Sequence, residues 1–104
     1  MAPASGTYAI APEALRDLET IWTYGAETWS ADQADRYLDE LVLAFDRVGR
    51  SPPLFRERLE FTPPVRIYLF SSHLVVYIGV GGELTILRLL GGRQDWQAIL
   101  RAID

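Results

Sequence analysis

Residues 65–96 decide the fold. They read Val65-Arg66-Ile67-Tyr68-Leu69-Phe70, Ser71-Ser72, His73-Leu74-Val75-Val76-Tyr77-Ile78-Gly79-Val80, Gly81-Gly82, Glu83-Leu84-Thr85-Ile86-Leu87-Arg88-Leu89-Leu90, then Gly91-Gly92-Arg93-Gln94-Asp95-Trp96. Three apolar, β-prone runs separated by two short turns predict a small meander. The middle run is almost wholly apolar, so it is expected at the centre of the sheet. Gly81-Gly82 is a strong two-residue hairpin signal. Asp95 is placed to cap a last helix running to residue 103, with Trp96, Ile99 and Leu100 facing inward.

Upstream of Pro63-Pro64 the period changes. Residues 7–11 alternate large and small, as a short half-buried strand does. Pro12 suits the first turn of a helix, where its missing N–H costs nothing. Glu13 and Asp17 favour the positive end of that helix. Leu15, Leu18, Trp22 and Trp29, with Ile21 beside them, repeat at helical spacing, which predicts a helix over 12–28. Ser30-Ala-Asp-Gln33 then reads as a capping box. Ala34, Tyr37, Leu38, Leu41, Ala44, Phe45 and Val48 form one apolar stripe, and Gly49 is expected to end the second helix in the left-handed conformation. So short a connection makes the two helices an αα-hairpin. Pro52 and Pro53 cannot continue the helix, and 56–61 reads as a loop with room for one short strand. The order βααβββα predicts an α+β domain, with the helical hairpin on one face of a mainly antiparallel sheet. The first strand is expected to rejoin that sheet, beside a partner the pattern does not name.

Bulk properties narrow the function classes. The 104 residues fit one domain with one hydrophobic core. Cysteine is absent, which removes disulfides and thiolate chemistry, and a single histidine, His73, argues against a histidine metal site. No cofactor is expected. No apolar run approaches the roughly 20 residues of a membrane span. Residues 1–6 lack the basic start and apolar stretch of a signal peptide, so a cytoplasmic protein is expected. The net charge of −4 is unevenly placed. Residues 12–48 hold nine acids and three arginines, whereas 50–104 hold seven arginines and five acids. An acidic whole fits poorly with non-specific nucleic-acid binding.

Several segments together resemble the ParE/RelE toxins of type II toxin–antitoxin (plasmid stabilisation) systems, the ParE branch most closely. Tyr8-x-Ile10-x-Pro12-x-Ala14-x-x-Asp17-Leu18-x-x-Ile21-Trp22-x-Tyr24 resembles that family's opening strand and first helix. Gln33-Ala34-x-x-Tyr37 resembles the start of its second helix, and Pro52-Pro53 the prolines that follow. Arg66 and His73-Leu-Val-Val-Tyr77 resemble its core strands. Ile86-x-Arg88-x-Leu90-x-Gly92-Arg93-Gln94-Asp95 resembles its ending, with Gly91 where a histidine is usual. The resemblance covers nearly the whole chain.

The resemblance implies a non-enzymatic toxin that poisons DNA gyrase and is held in check by a ParD-like antitoxin. It places target contacts at Arg88, Arg93, Gln94 and Trp96. It places antitoxin contacts at Trp22, Trp29, Tyr37, Leu41 and Arg66. The alternative within the superfamily is a RelE-like nuclease cutting ribosome-bound mRNA. A metal-free ribonuclease must deprotonate a 2′-hydroxyl, stabilise charge at phosphorus and protonate the leaving oxygen. Arg66 and Arg93 fall at basic positions of that site, but Tyr68, Leu74 and Ile99 stand where the nuclease carries other functional groups. A third reading is a non-toxic member that only binds the antitoxin. Structural roles compete with each assignment. Trp22 and Trp29 also suit hairpin packing, Arg88 an ion pair across the sheet, Arg93 and Asp95 the capping of the last helix, and His73 a satisfied hydrogen bond.

Overall fold

A computed structural model describes residues 8–50, 56–79 and 84–102. The element order is β1 (Tyr8–Ile10), α1 (Pro12–Thr28), α2 (Ala31–Arg50), β2 (Arg66–Phe70), β3 (His73–Ile78), β4 (Leu84–Gly91) and α3 (Trp96–Arg101). This is the expected βααβββα order. The four strands form one sheet in the order β1-β4-β3-β2. β2–β3 and β3–β4 pair antiparallel, while β1 lies parallel to β4, with Tyr8 opposite Leu84 and Ile10 opposite Ile86. Ala11 N–H donates to the Ile86 carbonyl at 2.9 Å and carries the pairing to the foot of α1.

Local chemistry sets the helix limits. Pro12 opens α1. Ser30 Oγ accepts from Gln33 N–H at 3.0 Å, the predicted cap of α2. Gly25 on α1 is buried, and a Cβ there would lie 3.3 Å from the Ala34 Cβ, so its small size lets the helices meet at that crossing. Gly49 departs from expectation: α2 continues through it to Arg50 instead of ending there. Gly49 is buried within the helix it was expected to end. Ser71 takes a φ of 55° in the β2–β3 turn, one of the few uses of that region by a residue other than glycine. The 56–61 segment is a loop, as one reading had it, held by an isolated antiparallel bridge between Arg58 and Val65. The Gly81-Gly82 turn and residue 103, where the last helix was expected to end, lie outside the described residues.

The sheet is covered on both faces. Ala14, Leu41, Phe45, Val75, Tyr77, Leu84, Ile86 and Leu89 make the core between sheet and hairpin. Phe61, Val65, Leu74, Val76, Leu90 and Leu100 make a second core beneath α3 and the 56–65 loop. β3 is internal, and its Leu74–Tyr77 run is buried, alternate residues serving opposite cores. β4 breaks the two-residue period. Val76 pairs with Arg88 but Tyr77 pairs with Ile86, so Leu87 is an extra residue. This bulge resets which side chains face the helices: Leu84 and Ile86 before it, Leu89 after it.

Candidate functional site

The bulge first shows its consequence at Arg88. Its guanidinium meets Asp17 of α1 in a two-pronged contact, Nε to Oδ2 at 2.8 Å and Nη2 to Oδ1 at 3.0 Å. Asp17 Oδ2 also accepts from Leu89 N–H at 2.9 Å. Both side chains are mostly buried, 21% and 15% exposed. The hydrogen bond to Asp17 raises the Arg88 pKa further above its ordinary value, so the cation is permanent. Arg88 is therefore first a pin between α1 and β4. The ion pair anticipated for it exists, but with a helix and not across the sheet.

Beyond Arg88 the chain turns under close hydrogen-bond control. Gln94 Oε1 accepts from Gly91 N–H at 2.6 Å. Gln94 N–H donates to the Gly91 carbonyl at 3.0 Å, and Gly92 N–H donates to the Ser72 carbonyl at 3.0 Å. Asp95 Oδ1 accepts from Ala98 N–H at 3.3 Å and caps α3. Arg93, at the tip, is exposed and makes no side-chain hydrogen bond or ion pair among the described residues. Trp96 is half-buried, 6.2 Å from the Phe61 ring, with the Arg58 guanidinium 5.7 Å above its own ring. Arg101 stands 5.7 Å above Phe61. Of the four predicted target-facing residues, Arg93, Gln94 and Trp96 offer surface, Gln94 also holding the turn, whereas Arg88 holds the strand that presents them.

The residues assigned to an antitoxin scatter more widely. Leu41 is fully buried between helix and sheet and presents no surface, which corrects its place in that set. The stripe of α2 is wide enough that spacing alone did not separate its centre from its rim. Trp29 and Tyr37 share an apolar groove of about 220 Å³ at the connected end of the hairpin, with Tyr24 and His73 in its lining. Trp29 and Tyr24 are each 62% exposed and meet edge to face, ring centroids 6.0 Å apart. Trp22 lies in a second groove between α1 and α2, its Nε1–H donating to Asp35 Oδ1 at 2.7 Å. Arg66 is elsewhere, opposite Tyr77 at the far end of β2.

Sequence reasoning gave His73 only a structural role, and geometry confirms the hydrogen bond. Tyr37 Oη and His73 Nδ1 are 2.6 Å apart. Burial lowers the His73 pKa, with Asp17 opposing the shift, and burial raises that of Tyr37. Hydrogen bonds with Ser71 and Ser72 oppose the Tyr37 shift, and the direction of the Tyr37–His73 bond follows the imidazole tautomer. Tyr24 was missed as a site residue because it lies off the main stripe of α1. Arg66 and Arg93 do not converge. One pairs opposite the end of β3 and the other follows Gly91, opposite its start. Four residue steps along β3, from His73 to Tyr77, separate these ends, about 13 Å along the axis.

A helical hairpin laid on a mixed sheet, whose last long strand ends in an arginine-bearing turn, is the architecture of the ParE/RelE toxins. The family model for the ParE toxin of the type II toxin–antitoxin system parDE matches residues 8–96. The chain belongs to this ParE family. It is 36% identical over 92 residues to Toxin ParE1 of Mycobacterium tuberculosis, a match spanning 88% of this chain and 94% of that one. It is 30% identical over 83 residues to Toxin ParE1 of Caulobacter vibrioides, spanning 80% and 85%. Among solved structures, a chain of the chromosomal ParDE system from P. aeruginosa superposes with a TM-score of 0.67. That match covers 84% of this chain and 98% of the other at 18% identity, a likeness of fold. Among the described residues, no helix is long and apolar enough to cross a membrane.

Proposed function

We propose that this chain inhibits DNA gyrase by binding it, and that a ParD-like antitoxin holds it in check in the cytoplasm. Membership of the ParE family carries the reading. The geometry supports it at two places. The turn after β4 offers Arg93 and Trp96 as target contacts on a backbone locked by Gln94 and, through Arg88, by Asp17. Rigid support of this kind lets a few side chains bind without a large ordering cost. The antitoxin surface consists of Trp22, Trp29 and Tyr37 on the hairpin, with Arg66 as a separate contact at the far end of β2. Toxicity then needs no catalytic residue in the chain itself. The placement of Arg66 and Arg93 at opposite ends of β3 favours this over mRNA cleavage, which draws its cations together around one phosphate.

The test is gyrase supercoiling with ATP in the presence of the purified protein. Inhibition with accumulation of cleaved DNA is expected, and Arg93→Ala and Trp96→Ala should each weaken it about tenfold or more, as interface anchors do. Toxicity in cells with gyrase untouched and mRNA cut would replace this reading with the nuclease. Healthy cells and untouched gyrase would leave a binding-only member.

A further inference from the structure

The groove at the connected end of the hairpin is walled by aromatic rings. Tyr24 and Trp29 stand nearly perpendicular, at 85°, with their centroids 6.0 Å apart. Tyr37 and His73 add a second tilted pair with centroids 5.6 Å apart, tied by the 2.6 Å contact of Tyr37 Oη with His73 Nδ1. All four rings line one space of about 220 Å³. Gly25 and Ala34, where the two helices cross, line it as well and are too small to fill it. That volume is below the roughly 300–1,000 Å³ of sites for drug-sized ligands. It suits a compact group of a few atoms.

Charge selects the occupant. Among the described residues, no arginine lines this groove or the one that adjoins it at Ile21, Tyr24 and His73. Carboxylates surround it instead. Glu27 lines a neighbouring groove with Tyr24. The field of Glu40 reaches Tyr37, and that of Asp17, partly offset by Arg88, reaches His73. Burial holds the His73 pKa below its ordinary value, so at neutral pH the imidazole adds no positive charge. Aromatic faces carry the negative part of the ring quadrupole, and steeply angled rings around an unfilled space attract a cation. We infer that this groove is an aromatic cage for a small organic cation of the quaternary or methylated ammonium class. No carboxylate is among its lining residues. A guanidinium or a primary ammonium would enter with N–H donors to satisfy, whereas a quaternary ammonium has none. The cage shares Trp29 and Tyr37 with the proposed antitoxin surface, but the inference rests on the rings and the surrounding charge alone.

Choline titrated into the purified full chain, against equal sodium chloride, tests this. Tryptophan fluorescence and the NMR signals of His73, the single histidine, report binding. Half-saturation is expected at about 1 mM, within the energy that about seven non-hydrogen atoms supply. The neutral isostere, with a tert-butyl group in place of the trimethylammonium, should bind about fivefold more weakly or worse, the loss of the cation–π attraction. Tyr24→Ala and Trp29→Ala, both at exposed positions, should each weaken choline binding about fivefold or more, with the circular-dichroism spectrum unchanged. Tyr24→Phe keeps the ring and should retain binding. Equal binding of the neutral isostere would reduce the site to an apolar hollow and overturn the inference. Tighter binding of butylguanidinium would hand the cage to an arginine side chain and overturn it too. So would a titration without saturation, or binding that survives both alanine substitutions. Neither gyrase nor an antitoxin enters the assay, so the proposed function stands or falls separately.

Discussion

The two faces of the sheet are built differently. One is covered by helices of 17 and 20 residues over a core in which Ala14, Leu41, Phe45, Val75 and Ile86 are all at 0% exposure. The other is covered by a six-residue helix and a loop, closed at its edge by arginines stacked on Trp96 and Phe61. The first face is fastened to the sheet by a mostly buried ion pair, Asp17–Arg88. On the second, such stacking at partly exposed rings contributes only ~0.5–1 kcal/mol per contact. Stability is thus concentrated on the hairpin side, and the turn bearing Arg93 sits where the thinner face begins. Binding surfaces are commonly drawn from the less stable part of a fold.

Core truncations probe this contrast most strongly. Phe45→Ala should cost about 4 kcal/mol and Leu100→Ala about 2–3 kcal/mol in urea unfolding, since a short helix can settle into the space it vacates. Equal losses would mean that the faces are equivalent. Next comes the pin. Asp17→Asn should cost about 2–4 kcal/mol, because it leaves the buried Arg88 guanidinium without its counter-charge. A double-mutant cycle with Arg88→Met should return a coupling above ~1 kcal/mol. Additive losses would show that Asp17 acts only through the Leu89 N–H.

Smaller effects sharpen the picture on the thin face. Asp95→Ala removes the cap of α3 and should cost about 1 kcal/mol. Amides of α3 should already exchange with solvent faster than those of α2 in the parent protein. In Asp95→Ala they should exchange faster still while α2 is unchanged. The smallest effect lies at the junction between hairpin and sheet. His73 has a folded pKa below its ordinary value of 6.5 because of burial, so the unfolded chain binds its proton more readily. Stability from neutral His73 is therefore present above about pH 6.5 and declines as pH falls toward the folded pKa. Tm measured from pH 7.5 to 5 should fall less steeply in His73→Gln than in the parent. An identical slope would remove His73 from the account.

Much of this molecule was legible before folding. The limits of α1 follow from Pro12 and its apolar spacing, and the start of α2 from Ser30. The cap on α3 was visible in Asp95, and the three strands of the meander in their β-prone runs. Each depends on neighbours within a few residues, where steric and hydrogen-bond preferences act directly. Gly49 is the instructive exception: α2 runs through this buried residue to Arg50 despite its local preference to end a helix. The site was less legible. Arg93 and Trp96 could be picked out near the turn, but nothing local showed that Gln94 folds back on Gly91 or that Leu41 is wholly enclosed.

Sequence alone determined the elements, their order, the acidic hairpin and the arginine-bearing turn, because periodicity, capping and charge are properties of adjacent residues. Tertiary structure decided that β1 lies parallel beside β4 and that Leu87 is an extra residue in the ladder. It also brought Asp17 to Arg88 across 71 positions and Tyr37 to His73 across 36. Those contacts arise from closing the sheet against the hairpin. Their energy is gained only once both cores are buried, so no stretch of chain encodes them by itself.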